Sequence, residues 1–475
     1  MQFISTRGGM RPKSFTEILL DGLAPDGGLV VPESLPALSA AQIESWRALS
    51  YPELAAQVIG LFATDIPADR LLELTREAYG PSRFPETVVP VKLLGESLGL
   101  IGLSEGPTMA FKDLAMQFLG QAVPYVLSLR GGVLNILGAT SGDTGSAAEH
   151  AFRSSPGVSV FMLSPAGRMS DVQRAQMYSL TEPSIHNIAV QGVFDDCQNL
   201  VKELNADAVF KERHSLGAVN SINFGRIAAQ CVYYFWSWLR VTDRLIPEER
   251  AAQWQEPRFS FAVPSGNFGN IYAGHLARRL GLPIRRLILA TNENNVLEEF
   301  FRTGVYRPRS GADTLATSSP SMDISKASNL ERFLWELLGP QDFLSAWQEL
   351  EATGQLDLSA QQERLVKELG FAASTSTHRA RLSAISAAYQ EHQVLIDPHT
   401  ADGWTAAQRL VEPGETVLVM ETAKPAKFGQ TVSEALGVEV AVSAELEELL
   451  SLPQQVEEIP NDPAVLRRII SERAL

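Results

Sequence analysis

One lysine and two glycine-rich loops give this chain the makings of a reactive site. Lys112 stands next to last in the string Gly106-Pro-Thr-Met-Ala-Phe-Lys-Asp113, where a helix is expected to begin. A helix dipole disfavours a cation at that end, and the neighbouring Phe111 can keep water away from it. Taken alone, a lysine at a helix start is more often simply solvated; partial desolvation would move it toward its neutral, nucleophilic form, and condensation with an aldehyde cofactor would remove the charge altogether. The loops are Ser265-Gly-Asn-Phe-Gly-Asn270 and Thr140-Ser-Gly-Asp-Thr-Gly145. In the first, Gly266 and Gly269 let backbone N–H groups approach an anion, the following helix adds its positive end, and Asn267 and Asn270 add amide donors. The second follows the same logic, with the hydroxyls of Thr140, Ser141 and Thr144 as further donors. One such loop is as often a plain strand-to-helix turn as a binding site. Two in one chain point to a ligand with two anionic groups, or to two ligands.

Both loops belong to a repeated rhythm. Apolar runs at residues 133–137, 158–163, 259–263, 284–290 and 417–420 each lead into a polar or glycine-bearing loop, and most continue into a helical pattern. Such repetition predicts an α/β architecture with mainly parallel sheets, whose ligands sit at the carboxyl ends of strands. The first eighty residues read instead as helical. Ser14 with Glu17 and Ser50 with Glu53 are spaced as capping boxes, Gly22 is placed to end the first helix, and another helix is expected over 67–80. The tail after Leu436 is acidic and then helical.

At 475 residues the chain needs two or three domains. Its net charge of −15 repels a phosphate backbone, so nucleic acid is not an expected partner, and an anionic substrate needs a locally built positive site. The two cysteines, Cys197 and Cys231, support neither a disulfide framework nor a thiolate metal site. There is no P-loop, no G-x-G-x-x-G after a strand, no G-x-S-x-G elbow and no histidine pair spaced for zinc, so no metal is expected. The most lipid-like stretch, residues 227–239, is too short for a membrane span, which takes roughly 20 apolar residues. No signal peptide is apparent, and a cytoplasmic protein without membrane contact is expected.

The string around Lys112 resembles the cofactor-lysine motif of the threonine synthase family, pyridoxal-phosphate enzymes of the tryptophan-synthase-β fold type. Seven more strings follow in that family's order: Ser5-Thr-Arg-Gly8, Gly22-Leu-Ala-Pro-Asp-Gly-Gly28, Ala139-Thr-Ser-Gly-Asp-Thr-Gly-Ser-Ala-Ala148, Asn220-Ser-Ile-Asn-Phe-Gly-Arg226, Ser265-Gly-Asn-Phe-Gly-Asn270, Pro320-Ser-Met-Asp-Ile324 and Asp397-Pro-His-Thr-Ala401. The resemblance implies two open, mainly parallel α/β domains of PLP fold type II with an N-terminal helical extension. The implied division is 1–90 helical, 91–130 with 241–435 as the large cofactor domain, 131–240 as the small substrate domain, and 436–475 as a C-terminal segment.

The same resemblance implies roles. Lys112, beside Phe111, would carry pyridoxal 5'-phosphate and then move protons. Gly266, Asn267, Phe268, Gly269 and Asn270 would cradle the cofactor phosphate, Thr422 would face the pyridine nitrogen, and Asp143 would lie near the ring hydroxyl. Thr140, Ser141, Gly142 and Thr144 would bind the substrate carboxylate. Asn223 and Arg226 would take its phosphate, which a guanidinium can grip with two parallel bonds. The implied reaction turns O-phospho-L-homoserine and water into L-threonine and phosphate, the last step of threonine biosynthesis, in a monomer or small homo-oligomer. Two alternatives are a related lyase that eliminates phosphate from a phosphorylated amino acid to give a keto acid, and a non-catalytic binding relative. The intact Lys112 and both loops argue against the latter. Three positions depart from the family pattern: Lys424 replaces a usual histidine, Asn295 a common aspartate, and Phe224-Gly225 a common Trp-Ala. Lys424 is expected near the ring, where an added cation would favour a different anionic substrate or strengthen phosphate binding.

Overall fold

Apolar runs rich in Val, Leu, Ile and Phe form two separate, mainly parallel sheets whose central strands are buried on both faces. The structure, a computed structural model, describes residues 1–85, 87–440 and 444–475. The larger sheet has the order Phe371–Thr375, Leu287–Thr291, Phe259–Pro264, Thr416–Glu421, Leu98–Gly102, Val91–Leu93. All its pairings are parallel except the antiparallel edge formed by the last two strands. The smaller sheet is parallel throughout, in the order Glu457–Ile459, Ile185–Val190, Val158–Pro165, Leu134–Ala139, Leu216–Gly217. Every residue of Val158–Pro165, Phe259–Pro264, Leu287–Thr291 and Thr416–Glu421 is buried, so each of these four strands reads as one continuous apolar run rather than an alternating one. This is the architecture that the strand–loop–helix rhythm predicts.

The N-terminal extension carries the helices Phe15–Asp21, Ala40–Ser45, Tyr51–Gly60 and Ala68–Ala78, with Phe3–Ser5 paired antiparallel to Val30–Pro32. The backbone N–H groups of Ser14 and Ser50 donate to Glu17 and Glu53 at 2.8 and 3.0 Å, closing the two expected boxes. Gly22 ends the first helix at a φ of 71°, which a side chain would oppose. Pro67 is an N-cap, so the helix expected over 67–80 begins at Ala68.

The lipid-like stretch becomes the interior of Phe224–Thr242, a nearly wholly buried helix that packs against Tyr51–Gly60, Lys112–Arg130 and Gly269–Arg279. A helix enclosed by other helices is apolar all round without entering a bilayer. Among the described residues no helix is long and apolar enough to cross a membrane. The acidic tail returns to the smaller sheet. Glu457–Ile459 adds an edge strand, and Pro463–Arg473 buries Leu466, Ile469 and Ile470 in the cluster that holds Phe161, Leu200 and Leu204.

Candidate active site

The strand Phe259–Pro264 ends at the carboxyl edge of the larger sheet and turns through residues 265–268 into the helix Gly269–Arg279. The turn requires Phe268 to adopt a left-handed φ of 64°, an uncommon conformation for a residue with a side chain. Its ring is anchored in the core, with centroids 5.8, 5.6 and 6.2 Å from those of Phe301, Phe333 and Phe371, and that burial holds the backbone in place. A Cβ on Gly266 would come within 2.8 Å of Ile324 Cγ1 and 3.2 Å of Met322 Cα, so the chain can pass here only as glycine.

The polar groups of this loop are sorted by their neighbours. The Asn267 carbonyl accepts from Asn329 at 3.0 Å, and its side-chain oxygen accepts from Ser328 at 3.1 Å. Asn270 Oδ1 accepts from the Tyr233 and Tyr234 hydroxyls at 2.6 and 2.9 Å. The oxygens of Asn267 and Asn270 are thus satisfied and the donors are not. Among the described residues no protein acceptor meets the N–H groups of residues 266–270, and the buried Ser265 Oγ and Asn270 Nδ2 have no partner. Each such buried group costs about 1–3 kcal/mol when left unpaired. An anion at the helix N-terminus is the ligand that these donors fit.

Lys112 begins the helix Lys112–Arg130, and the preceding Phe111 N–H donates to the Thr422 carbonyl at 2.9 Å. That bond ties the lysine turn to the end of Thr416–Glu421. Lys112 Nζ lies 3.0 Å from Asp143 Oδ2 and 5.4 Å from the centre of the Phe111 ring. Asp143 stands in the first turn of Asp143–Phe152, on the side of the smaller sheet. Its Oδ2 also accepts from the Ser321 hydroxyl at 2.8 Å, and its Oδ1 meets Lys427 Nζ at 2.7 Å and Gln173 Nε2 at 3.1 Å. Burial alone would push this carboxyl up, but Lys112 and Lys427 together hold it well below the usual range. Burial pushes the Lys112 ammonium down; Asp143 offsets part of that, while Lys427 and Arg226 add to it. The nucleophile is therefore biased toward its reactive form.

One cavity gathers Phe111, Lys112, Asp143, Thr144, Arg226, Thr422 and the whole of residues 265–270. Arg226 is 3 % exposed, donates from Nη1 to the Val219 carbonyl at 3.3 Å, and leaves Nε without a partner. Burial lowers its pKa only to about 10, so it stays charged at neutral pH.

Four of the expected substrate residues do not line this cavity: Thr140, Ser141, Gly142 and Asn223. Thr140 Oγ1 accepts from the N–H groups of Gly142 and Gly145, both at 2.9 Å, and so closes the loop on itself. Ser141 is exposed, and a Cβ on Gly142 would strike Gln173. Asn223 caps the helix Phe224–Thr242, with Oδ1 accepting from Gly225 N–H and Nδ2 donating to the Leu19 carbonyl, each at 2.9 Å. Lys424 is also absent from the lining. Its Nζ lies 2.5 Å from Glu105 and 3.3 Å from Glu421, two carboxylates that draw the cation away from the expected place near the ring. Asn295 accepts from Arg309 at 2.7 Å.

Sequence reasoning missed Ser221, Gln230, Ser321, Met322 and His399, all of which line the cavity. His399 Nδ1 lies 2.7 Å from Asp397 Oδ1, and its Nε2 accepts from the Ser321 N–H at 3.1 Å, which assigns the proton to Nδ1. The motifs holding Ser321 and His399 were visible, but nothing in them says that one residue fixes the other. Lys427 escaped for the same reason.

Residues 2–79 match the family model for the threonine synthase N terminus, and residues 400–470 match that for the threonine synthase C-terminal region. A threonine synthase from Methylobacillus glycogenes is 49 % identical over 99 % of this chain and 100 % of its own. The chain belongs to the threonine synthase family. A PLP-bound threonine synthase from Brucella melitensis superposes with a TM-score of 0.92 at 37 % identity, covering 100 % of this chain and 99 % of that one. Yeast threonine synthase gives 0.91 at 34 % identity, over 99 % and 98 % of the two chains. Among the described residues no group of three or more His, Cys, Asp or Glu could hold a metal ion.

Proposed function

We infer that this chain converts O-phospho-L-homoserine and water to L-threonine and phosphate, as a lyase that uses pyridoxal 5'-phosphate. The observation that carries the reading is a single cavity in which a desolvated lysine faces an anion cup of unpaired donors. The cup suits a phosphate monoester: it offers backbone N–H groups from 266–270, the helix end, Ser265 and Asn270, and admits no Cβ at Gly266. When bound, the cofactor supplies an electron-withdrawing ring that stabilises negative charge beside the substrate's amino group.

The chain's own residues would do the rest. Lys112 would hold the cofactor and then, as a free amine, take and return protons at the substrate carbons. Burial already biases it toward the neutral form. Thr422 would meet the ring nitrogen with a neutral hydroxyl, which does not hold that nitrogen protonated. Asp143 and Thr144 are the members of the 140–145 loop that line the cavity, and of the two Thr144, with its neutral hydroxyl, is suited to touch the substrate carboxylate. Arg226, charged and with Nε free, suits the leaving phosphate. Asp397 and His399 would hold Ser321, and Ser321 would help fix Asp143 beside Lys112. In this reading the domain of the larger sheet, residues 91–130 and 241–435, carries the cofactor, and residues 131–240, whose sheet is joined at its edge by Glu457–Ile459, carry the substrate. The two buried thiols, Cys197 and Cys231, suit a reducing cytoplasm.

The test is direct. Purified protein given O-phospho-L-homoserine should release threonine and phosphate in equal amounts, and borohydride should fix the cofactor on the peptide containing Lys112. Formation of 2-oxobutyrate in place of threonine would favour the keto-acid lyase. Label on Lys92, Lys424 or Lys427 would sink the lysine assignment.

A further inference from the structure

Behind the cavity three charged groups share one buried contact. Asp143 meets Lys112 Nζ at 3.0 Å through Oδ2 and Lys427 Nζ at 2.7 Å through Oδ1. The Lys427 side chain is 0 % exposed, and its second acceptor is the Thr108 carbonyl at 2.9 Å. Lys112 borders the cavity, and among the described residues Asp143 is its one acceptor. We propose that Lys427 is a positioning residue for Lys112, a buried ammonium that keeps Asp143 ionised and in place when Lys112 gives up its proton. The proposal rests on the reading of Lys112 as the cofactor lysine.

With all three groups ionised the cluster carries one net positive charge in a site shielded from water, which is costly. Loss of one proton makes it neutral. Lys112 is the place for that loss, because it faces the cavity and has a single acceptor, whereas Lys427 is held by two. Without Lys427 the balance inverts. A neutral Lys112 would then strand Asp143 as an unpaired buried carboxylate, so the carboxylate would hold the lysine's proton in place. Lys427 thus lets one neighbour be an anion and the other a free amine at the same pH. It also spans the two sheets, since Lys427 lies in the turn Pro425–Phe428 after Thr416–Glu421, and Asp143 starts Asp143–Phe152.

Other charged and titratable groups surround the cluster. Arg226, from Phe224–Thr242, also disfavours a second cation at Lys112. Asp113 follows Lys112 in its helix, accepts from Thr108 and interacts with Lys427. His399 lies beyond Ser321, and His150 stands two turns along from Asp143. None of these four hydrogen bonds to Lys112 or Asp143 among the described residues, so Lys427 is the cation in contact with Asp143 that can compensate Lys112.

The experiment reads the ionisation of Lys112 itself. On the full-length chain with cofactor removed, competitive acetylation across a pH series, followed by peptide mass spectrometry, gives the midpoint at which Lys112 becomes nucleophilic. Lys427→Gln and Lys427→Met remove the charge, the former keeping a donor, and Lys427→Arg keeps the charge. Both neutral variants should raise the midpoint by about one pH unit or more, roughly tenfold less labelling at a given pH below it. Lys427→Arg should stay within about a few tenths of a unit, since its charge is retained. The pH titration of the cofactor's visible absorbance in the loaded enzyme should rank the variants in the same order. An unchanged midpoint in either neutral variant overturns the proposal. So does a Lys427→Arg midpoint that moves as far as a neutral variant's, since only a steric role predicts it. Should neither neutral variant fold, Lys427→Arg decides alone: a shift of a unit overturns the proposal, and an unmoved midpoint supports it. Borohydride label away from Lys112 would instead overturn the cofactor assignment and leave the ionisation result readable.

Discussion

Residues 265–270 and 140–145 are both glycine-bearing turns from a buried strand into a helix, yet their polar groups point in opposite directions. Around 265–270 the neighbours Asn329, Ser328, Tyr233 and Tyr234 satisfy the acceptors and leave the donors facing the cavity. Around 140–145 the Thr140 hydroxyl consumes two of the loop's own N–H groups, and what reaches the cavity is Thr144 and the negative Asp143. The lesson is that glycines and hydroxyls give a loop its capacity to bind an anion, but the surroundings decide which donors remain free. One loop presents unpaired donors, as an anion cup requires. The other is a rigid mount for a carboxylate.

The largest effect should come from breaking the first loop and comparing it with the second. Gly266→Val forces a side chain against Ile324 and Met322 and pushes the backbone donors away from an anion. Losing two or more charge-assisted hydrogen bonds should weaken cofactor binding by about 3–6 kcal/mol, read as loss of visible absorbance on dialysis. Thr140→Val removes the acceptor for two N–H groups inside its own loop. At about 1–3 kcal/mol for each N–H left unpaired, it should cost about 2–6 kcal/mol of folding stability while the cofactor stays bound. Equal cofactor loss in both variants would erase the distinction.

Next in size is Arg226→Ala, which separates the cofactor anion from the substrate anion. If residues 265–270 already complete the cofactor site, the variant should keep the cofactor's absorbance and lose activity. Removing one partner of a desolvated charge pair costs roughly 2–5 kcal/mol, about 30- to several-thousand-fold in kcat/KM. Arg226→Lys should recover only part, because a point charge cannot replace the planar fork. Normal turnover in Arg226→Ala would move the substrate phosphate elsewhere.

Much of the scaffold was legible because its signals are local. The capping serines and their glutamates lie three residues apart, Gly22 marks a helix end, and the apolar runs mark buried strands. Strand order was not, since parallel neighbours such as Leu287–Thr291 and Phe371–Thr375 are joined by long connections. Nor was the return of Glu457–Ile459 to the smaller sheet, a three-residue strand with no pattern of its own. At the site, chemistry singled out Lys112 and the 265–270 loop as candidates and the family resemblance alone added Thr422; all of them line the same cavity. Asn223 could not be judged, because an amide looks the same in sequence whether it caps a helix or binds a ligand. Lys424 and Lys427 stand three residues apart and would have been ranked alike. One pairs with carboxylates outside the cavity and the other with Asp143, a difference set wholly by distant parts of the chain.

The two sheets should also respond differently to acid. Beside the smaller sheet, burial lowers His150 to about 4, while its Nε2 meets the Gln176 carbonyl at 3.0 Å. An unfolded histidine titrates near 6.5. The unfolded chain therefore takes up a proton that the folded one refuses, so this stability is complete above about pH 6.5 and is lost as pH falls toward 4. At the lysine turn, burial raises Asp113 to about 6. There the sign reverses: the folded chain keeps a proton that the unfolded one releases, and stability is lost as pH rises from about 4 to 6. His150→Gln retains a donor for the carbonyl and cannot titrate. Its urea stability should therefore drop less than the wild type's between pH 6.5 and 4, by about 2–3 kcal/mol. Parallel curves would mean that His150 carries none of the acid limb.

The smallest effect should come from restoring the family's residue at position 424. Lys424 lies in the turn after Thr416–Glu421, close in sequence to the cavity-lining Thr422, yet its charge is already matched. Burial pulls its pKa down, but Glu421 and Glu105 outweigh that and raise it. Glu421 is itself buried, and its Oε1 accepts from the Ser104 hydroxyl at 2.6 Å, so the carboxylate that Lys424 compensates is fixed in place. A cation held between two carboxylates adds little field inside the cavity. Lys424→His should cost at most about 1 kcal/mol of stability, as for a partly exposed ion pair, and leave KM and cofactor affinity within about twofold. A tenfold or larger rise in KM for O-phospho-L-homoserine, with cofactor binding intact, would return this lysine's charge to the substrate. The contrast between Lys424 and Lys427 would then rest on depth of burial alone, and not on which carboxylate each one meets.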